Sequence, residues 1–304
     1  MAGIYPDLIQ QPYAGFRLDP CADVVAYVRA TQLANMPWDV QSKWVPDIAS
    51  GLSRCRSGRN DVVVVLQGHT ENVSSTTFSG LVAGTRLIGI GRGSNRPNLR
   101  WTATTSQLAL AVADVSIHNF IFRCEGAVVV KAIVVTAADC GIYNCDIDVG
   151  STASTNLSTI GIELGTGAHR FELKNNYIHG IAGATPTQVI KIIGVGDGAV
   201  IEGNDIHAAT SAVAVGVIDI GVAATGLRIR NNSLWNRLAS SETVLSCGAF
   251  AATGVVEYNR GAVEAGTPVS DVFEDNATAL LRFFENYATD TKNTSGLLSP
   301  AVVT

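Results

Sequence analysis

Five asparagines return along this chain at nearly constant spacing: Asn176, Asn204, Asn232, Asn259 and Asn286, separated by 28, 28, 27 and 27 residues. A fixed period of this size restricts the fold severely, because each period must be one structural unit that buries its apolar face against the next. The surrounding residues repeat as well. Leu173-Lys174-Asn175-Asn176-Tyr177-Ile178, Ile201-Glu202-Gly203-Asn204-Asp205-Ile206 and Ile229-Arg230-Asn231-Asn232-Ser233-Leu234 share one pattern: apolar, charged, Asn or Gly, Asn, variable, apolar. Val256-Glu257-Tyr258-Asn259-Arg260-Gly261 is a weaker copy, and two earlier copies carry Cys145 and Phe120 in the fourth slot. Gly165, Gly194, Gly221 and Gly248 recur in a second register. Asn286 lacks the flanking strand pattern and reads as the weakest member.

Within each unit the apolar residues alternate or run in short β-branched stretches, at 132–135, 160–164, 189–193 and 217–220. Each stretch is about a strand long and is bounded by Gly, Ala, Thr, Asn or Asp. No segment between 61 and 270 holds a sustained helical period. Two or three short strands per unit predict an all-β fold, a right-handed parallel β-helix solenoid with short helical caps and an extended N-terminal arm. Parallel coils place equivalent residues above one another about 4.8 Å apart. An asparagine in that position can hydrogen-bond to the coils above and below, and asparagine tolerates the left-handed backbone of tight turns. Asn176, Asn204, Asn232 and Asn259 are therefore expected to form a structural ladder. The second slot reads Lys174, Glu202, Arg230, Glu257, alternating in sign as an outward column would. Such opposite-charge pairs contribute roughly 0.2–1 kcal/mol each.

Four regions follow. Residues 1–42 scatter Pro6, Pro12, Pro20 and Pro37 among Tyr5, Tyr13, Phe16 and Trp38, which suggests an arm that packs on a surface, with a short helix around 22–33. Residues 43–60 predict a capping helix over 45–55. Pro46 and Asp47 suit its first turn, Arg54 and Arg56 its end, and Val45, Ile48 and Leu52 would close the open stack. Residues 61–270 form the β-helix, with a first strand at 61–66 and regular coils from about 107 to about 265. Residues 271–304 hold a C-terminal cap and tail, where Asp275, Ala277, Leu280, Leu281 and Phe284 have helical spacing.

Chemistry is sparse. A net charge of −5 with 15% charged residues disfavours nucleic acid or an anionic membrane as partner. The start shows no secretory pattern, and the most apolar window, 208–226, carries Asp219 and many small residues, as a buried strand would. Without that pattern or zinc-type spacing, the six cysteines are expected reduced and mostly buried. Gly91-Arg92-Gly93 with Arg96 lacks the ending of a phosphate loop and reads as a turn. His179 and His207 share a register, with Asp205 as the nearest third metal ligand, and solvent-facing turn residues are expected there.

A glycan-cleaving enzyme needs converging carboxylates. The candidates are Asp146, Asp148, Glu163, Glu172, Glu202, Asp205 and Asp219. Glu163 and Asp219 fall two coils apart, roughly 10 Å, as do Asp146 and Asp205. No three meet in neighbouring coils, and aromatic residues for sugar stacking look few. No catalytic, cofactor or metal residue is therefore expected.

The segment 60–71, with Val62 to Leu66 followed by Gln67-Gly68-His69, and the segment 81–97, with Gly89-Ile90-Gly91-Arg92-Gly93, resemble the opening of β-helix proteins of tailed bacteriophages. There a strand usually ends in Pro-Gly-His, and here Gln67 replaces the proline. The stretch from Phe284-Glu285-Asn286-Tyr287 to Leu298 resembles their C-termini. The resemblance spans roughly 45–300 and brings no catalytic motif. It implies a non-enzymatic structural protein of a virion, assembled in the host cytoplasm. The expected form is a homotrimeric capsid decoration or cement protein bound to the major capsid or another virion protein through the arm. The alternative is a tailspike-type receptor-binding or polysaccharide-degrading protein.

Overall fold

The computed structural model describes residues 23–31, 38–77, 80–126, 128–150, 157–181, 186–194, 196–211, 215–238, 240, 243–248, 250–264, 272–274, 280–290 and 296–298. The fold is an all-β parallel solenoid of the right-handed type, with about seven turns and very little helix. Each central coil contributes one strand to each of three sheets, named A, B and C here; the ends add further strands to A and B, so the three hold 11, 10 and 7 strands. A strand of sheet A leads through a tight corner into sheet B, then through a longer connection into sheet C.

Coil-to-coil register explains the interior. In sheet A, Leu87, Ile117, Ile142, Leu173, Ile201, Ile229 and Val256 stand above one another. Sheet B stacks Ile147, Ile178, Ile206 and Leu234. Sheet C stacks Ile133, Ile162, Ile190, Ile218 and Leu245. These side chains are at most 1% exposed. Burying each one contributes about 1.5–3 kcal/mol, and no coil could bury them alone. Cys55, Cys124, Cys140, Cys145 and Cys247 are free and buried; Cys21 lies outside the described residues.

The stack is longer at both ends than the periodicity suggests. Residues 1–22 of the expected arm lie outside the described residues, but Val24–Val28 is a strand rather than a helix, paired in parallel with Val62–Val65. Ala26 and Val28 point into the core and are fully buried. Pairing with Val62–Val65 outweighs whatever local preference the surrounding prolines convey. The capping helix is shorter than 45–55. It spans Ile48–Leu52, with Asp47 as N-cap accepting from the Ser50 N–H at 2.7 Å. Val45 precedes it in a short strand, Trp44–Val45, that pairs with Val24–Val28. Val45, Ile48 and Leu52 are buried in the main core, as a cap requires.

Near the C-terminus the expected helix over 275–287 is not formed. Residues 275–279 lie outside the described set, and Leu280–Phe284 and Asn286–Asp290 are strands that extend sheets A and B. The apolar spacing that suggests a helix is overridden by ladder hydrogen bonds from the preceding coil. Coils therefore run past residue 270, and Gly296–Leu298 closes sheet B as its one antiparallel strand among those described.

Candidate functional site

The corner between sheets A and B divides its work between two adjacent residues. Asn119, Asn144, Asn175, Gly203, Asn231, Tyr258 and Glu285 all hold positive φ, between 46° and 67°. This left-handed position turns the chain, which is why the slot prefers Asn or Gly. The next residue forms the ladder. Asn176, Asn204, Asn232, Asn259 and Asn286 are each no more than 2% exposed.

The ladder bonds repeat with one polarity. Asn204 Oδ1 accepts from the Asn176 N–H at 2.9 Å and from Asn176 Nδ2 at 3.0 Å. Asn232 Oδ1 receives the same pair from Asn204, Asn259 Oδ1 from Asn232, and Asn286 Oδ1 from Asn259. Each Nδ2 also donates to a carbonyl one coil back, Asn204 to Leu173 at 2.8 Å and Asn286 to Val256 at 2.8 Å. Asn286 is thus a full rung, contrary to its weak sequence context. At the other end, the Cys145 N–H donates to Asn176 Oδ1, and Cys145 Sγ accepts from the Phe120 N–H. The ladder is an internal device, closed to ligands.

The outward charged column exists as read. Lys174, Glu202, Arg230 and Glu257 are successive partners in sheet A. Arg230 Nε lies 3.0 Å from Glu202, whereas Lys174 reaches Glu172 on its own strand at 2.8 Å. Further along the column His118 stacks on Tyr143 at 4.6 Å and 8°. Burial, and then the Arg86 charge, push the His118 imidazole down to about 3. Burial and the Glu172 carboxylate push the Tyr143 phenol well above its usual range. Burial opposes ionisation of Glu172, but hydrogen bonds from Lys174 and Tyr143 outweigh it and hold its carboxyl below the ordinary value.

The other candidate acids are also partnered. Glu163, Lys191 and Asp219 align in sheet C, so Glu163 and Asp219 stand two coils apart as read. Glu163 is 4% exposed and pairs with Lys131 at 2.8 Å. Asp219 accepts from Ser246 and Gln188. Asp148 is buried and accepts from the Gly150 N–H. Arg96 donates to the carbonyls of Gly93 and Asn144 and pairs with Asp146, so the glycine loop closes a turn.

Sheet B carries the least expected surface. The residue after each corner Asn, and the one two further on, point outward. Asp146, Tyr177, Asp205, Ser233, Arg260 and Tyr287 form one column. His179, His207 and Trp235 form the next. Tyr177 stacks on His179 at 4.7 Å, His207 meets Trp235 edge-on at 5.4 Å, and Arg237 lies 5.2 Å over the Trp235 ring. His179 pairs with Asp146 at 2.9 Å, and His207 with Asp205 at 2.8 Å. Burial would raise the Asp146 carboxyl, but the His179 hydrogen bond and the charges of His179, Arg96 and Arg123 hold it below its usual range. The two histidines are neighbours, as their spacing suggests, yet each takes its own carboxylate. Among the described residues no group of three His, Cys, Asp or Glu is arranged to hold a metal. Of the exposed aromatic rings, Tyr177 and Tyr287 lie on this face, whereas Phe250, Tyr258 and Phe284 lie elsewhere. The sequence signal of this face is the offset from the ladder asparagine, one residue for Tyr177 and Tyr287 and three for His179, His207 and Trp235.

Fold and surface together define a parallel β-solenoid protein with an internal amide ladder and a sheet B face that carries Tyr177, His179, His207 and Trp235. No protein-family description matches the chain, and no curated protein matches it. Among solved structures it is similar to PfbA, a surface adhesin of Streptococcus pneumoniae, at 12% identity and a TM-score of 0.28. That match covers 78% of this chain and 64% of the adhesin chain. Among the described residues no helix is long and apolar enough to cross a membrane.

Proposed function

We propose that this chain is a non-enzymatic structural protein of a tailed-bacteriophage virion, a homotrimeric decoration protein that binds the capsid through its N-terminal residues. One observation carries the structural reading: many outward ionisable groups are spent on one another, within a strand or between neighbouring coils. Asp146, Glu172 and Asp139 are each held below the usual carboxylate range by a hydrogen-bonded partner. A glycosidase needs a carboxylic acid raised toward neutrality, the opposite direction. The virion reading rests on the resemblance of 60–71 and 81–97, and trimerisation on analogy with the same proteins.

The test is a deletion of residues 1–22, because removing all of 1–42 would also take away Val24–Val28, which belongs to sheet A. The shortened protein is expected to fold, to remain trimeric by mass photometry and to lose occupancy on purified capsids. Full occupancy without those residues would refute attachment through them.

A further inference from the structure

The described stack ends unevenly. Sheet B is closed by Gly296–Leu298, which runs antiparallel to Asn286–Asp290 with Leu298 opposite Asn286 and Gly296 opposite Ala288. Sheet A ends at Leu280–Phe284, and among the described residues no strand follows it. The Leu280 N–H donates to the Ala252 carbonyl at 2.7 Å, and the Phe284 carbonyl accepts from the Tyr258 N–H at 3.1 Å. Both residues thus turn their backbone groups toward the preceding coil. Alternation along the strand then directs the N–H and C=O of Leu281 and Phe283 to the open edge. Leu280 and Phe284 flank that edge at 67% and 49% exposure. An open edge beside exposed apolar side chains is a template for another strand, and proteins cover such edges.

We propose that residues 299–304, which lie outside the described residues, dock on this edge as an antiparallel strand and keep a second chain from pairing there. Position supports this occupant. Leu298 stands opposite Asn286, at the corner, and the chain there runs back toward sheet A. Length supports it as well. The same pairing carried around the corner sets Ser299 opposite Glu285 and Thr304 opposite Leu280, so six residues span the whole strand. Ala301 and Val303 then fall opposite Phe283 and Leu281, the two residues whose backbone groups need partners. Pro300 falls opposite Phe284, where no N–H is required, and its missing N–H leaves the new outer edge a poor template for further strands. Val302 falls opposite Arg282, diagonal to Leu280 and Phe284, and Val-Val-Thr suits a strand. Charge argues against the competing occupant, a second copy. Two-fold antiparallel pairing through the same backbone groups would set Arg282 opposite its own counterpart, a destabilising contact.

The proposal is independent of capsid attachment, which the N-terminal deletion tests separately. It is tested on the full chain in two ways. Arg282→Cys with Val302→Cys, in a Cys21→Ser background, sets two thiols directly opposite in a non-hydrogen-bonded pair. Their Cα atoms would lie about 4.5 Å apart, within reach of a disulfide. Mild oxidation should give an intrachain bridge, seen as the loss of two titratable thiols in urea without a dimer on non-reducing electrophoresis. Arg282→Cys with Ser299→Cys, three residues out of register, should give none. In amide exchange, the Leu281 and Phe283 N–H groups of the wild type should be protected despite lying at the last described strand of sheet A. Val303→Pro should lower that protection at least about tenfold and leave the Ile229 N–H, two coils inside, unchanged. Absence of the 282–302 bridge, or free exchange of Leu281 and Phe283 in the wild type, overturns the proposal. So does protection that survives Val303→Pro. Protection that rises with protein concentration, or an interchain bridge formed by Arg282→Cys alone, gives the edge to a second copy and also overturns it.

Discussion

Truncating one rung of the ladder measures what the asparagines contribute. In Asn204→Ala, the Asn176 N–H and one Asn176 Nδ2 hydrogen lose their acceptor, while the Leu173 carbonyl loses its side-chain donor but keeps its place in the sheet A ladder. Asn232 Oδ1 keeps the Asn204 N–H at 2.9 Å. Two buried donors are therefore stranded. Each costs about 1–3 kcal/mol, which sums to about 2–6 kcal/mol. Water entering the vacated corner recovers part of this, and single substitutions above about 5 kcal/mol are exceptional, so the expected loss is about 2–4 kcal/mol. The control is Asn231→Gly, one residue away. Asn231 sits at φ 55° and makes the turn, a conformation glycine adopts freely, so the change should stay within about 0.5 kcal/mol. Urea unfolding gives the first comparison. Because a stacked array can unfold coil by coil, amide exchange of the Asn176 N–H supplies the local value. A loss under about 1 kcal/mol, with Asn176 protection unchanged, would refute the hydrogen-bond reasoning.

Other outcomes follow from the paired surface. Asp146→Asn should destabilise the protein by less than about 1 kcal/mol near neutral pH, because the group is partly solvated. The Asp146 pKa is depressed in the folded state, so its contribution is present above the unfolded value of about 3.9 and fades as pH falls through the folded value. Wild-type and variant melting curves should therefore converge in acid, and a constant gap would contradict this. Glu202→Lys places three cations in adjacent strands, Lys174, residue 202 and Arg230. It should cost about 1 kcal/mol at low salt and less at about 1 M salt, whereas a salt-independent effect would point to packing. Burial pushes the Cys55 thiol up to about 11 and Cys145 to about 12. At pH 8 both should react with a disulfide reagent only after unfolding in urea, and rapid labelling of native protein would place them nearer solvent.

Much of the solenoid could be read from residues 107–265, because a hydrogen-bonding corner tolerates so few side chains. An amide presents donor and acceptor at once, so Asn recurs along the five rungs from Asn176 to Asn286. Cys145 substitutes near the N-terminal end, where its sulfur need accept only one bond. The left-handed step belongs to the residue before the ladder asparagine and not to the ladder asparagine itself. Tyr258 and Glu285 show that even non-glycine, non-Asn residues are forced into it when both neighbouring coils are in register. The two ends were less legible for a related reason. Val24–Val28 and Leu280–Phe284 receive their strand conformation from the adjoining coil, and nothing within five residues encodes that partner. The strands flanking Asn286 likewise take their conformation from the adjoining coil. The sheet B face escaped notice because Tyr177, Trp235 and Tyr287 are far apart in sequence. Only the exact register of sheet B brings them together.

The parallel register itself can be measured directly by placing spin labels at Lys174→Cys and Phe284→Cys, with Cys21→Ser removing the cysteine outside the described residues. Lys174, Glu202, Arg230, Glu257 and Phe284 are successive sheet A partners, so four coil steps separate the labels, about 19 Å between backbones. The five buried thiols should remain unlabelled. Electron–electron distance measurement should return one narrow distribution near that value, widened only by the label arms. A broad distribution, or a mean beyond about 30 Å, would contradict both the stacked coils and the continuation of the ladder to Asn286.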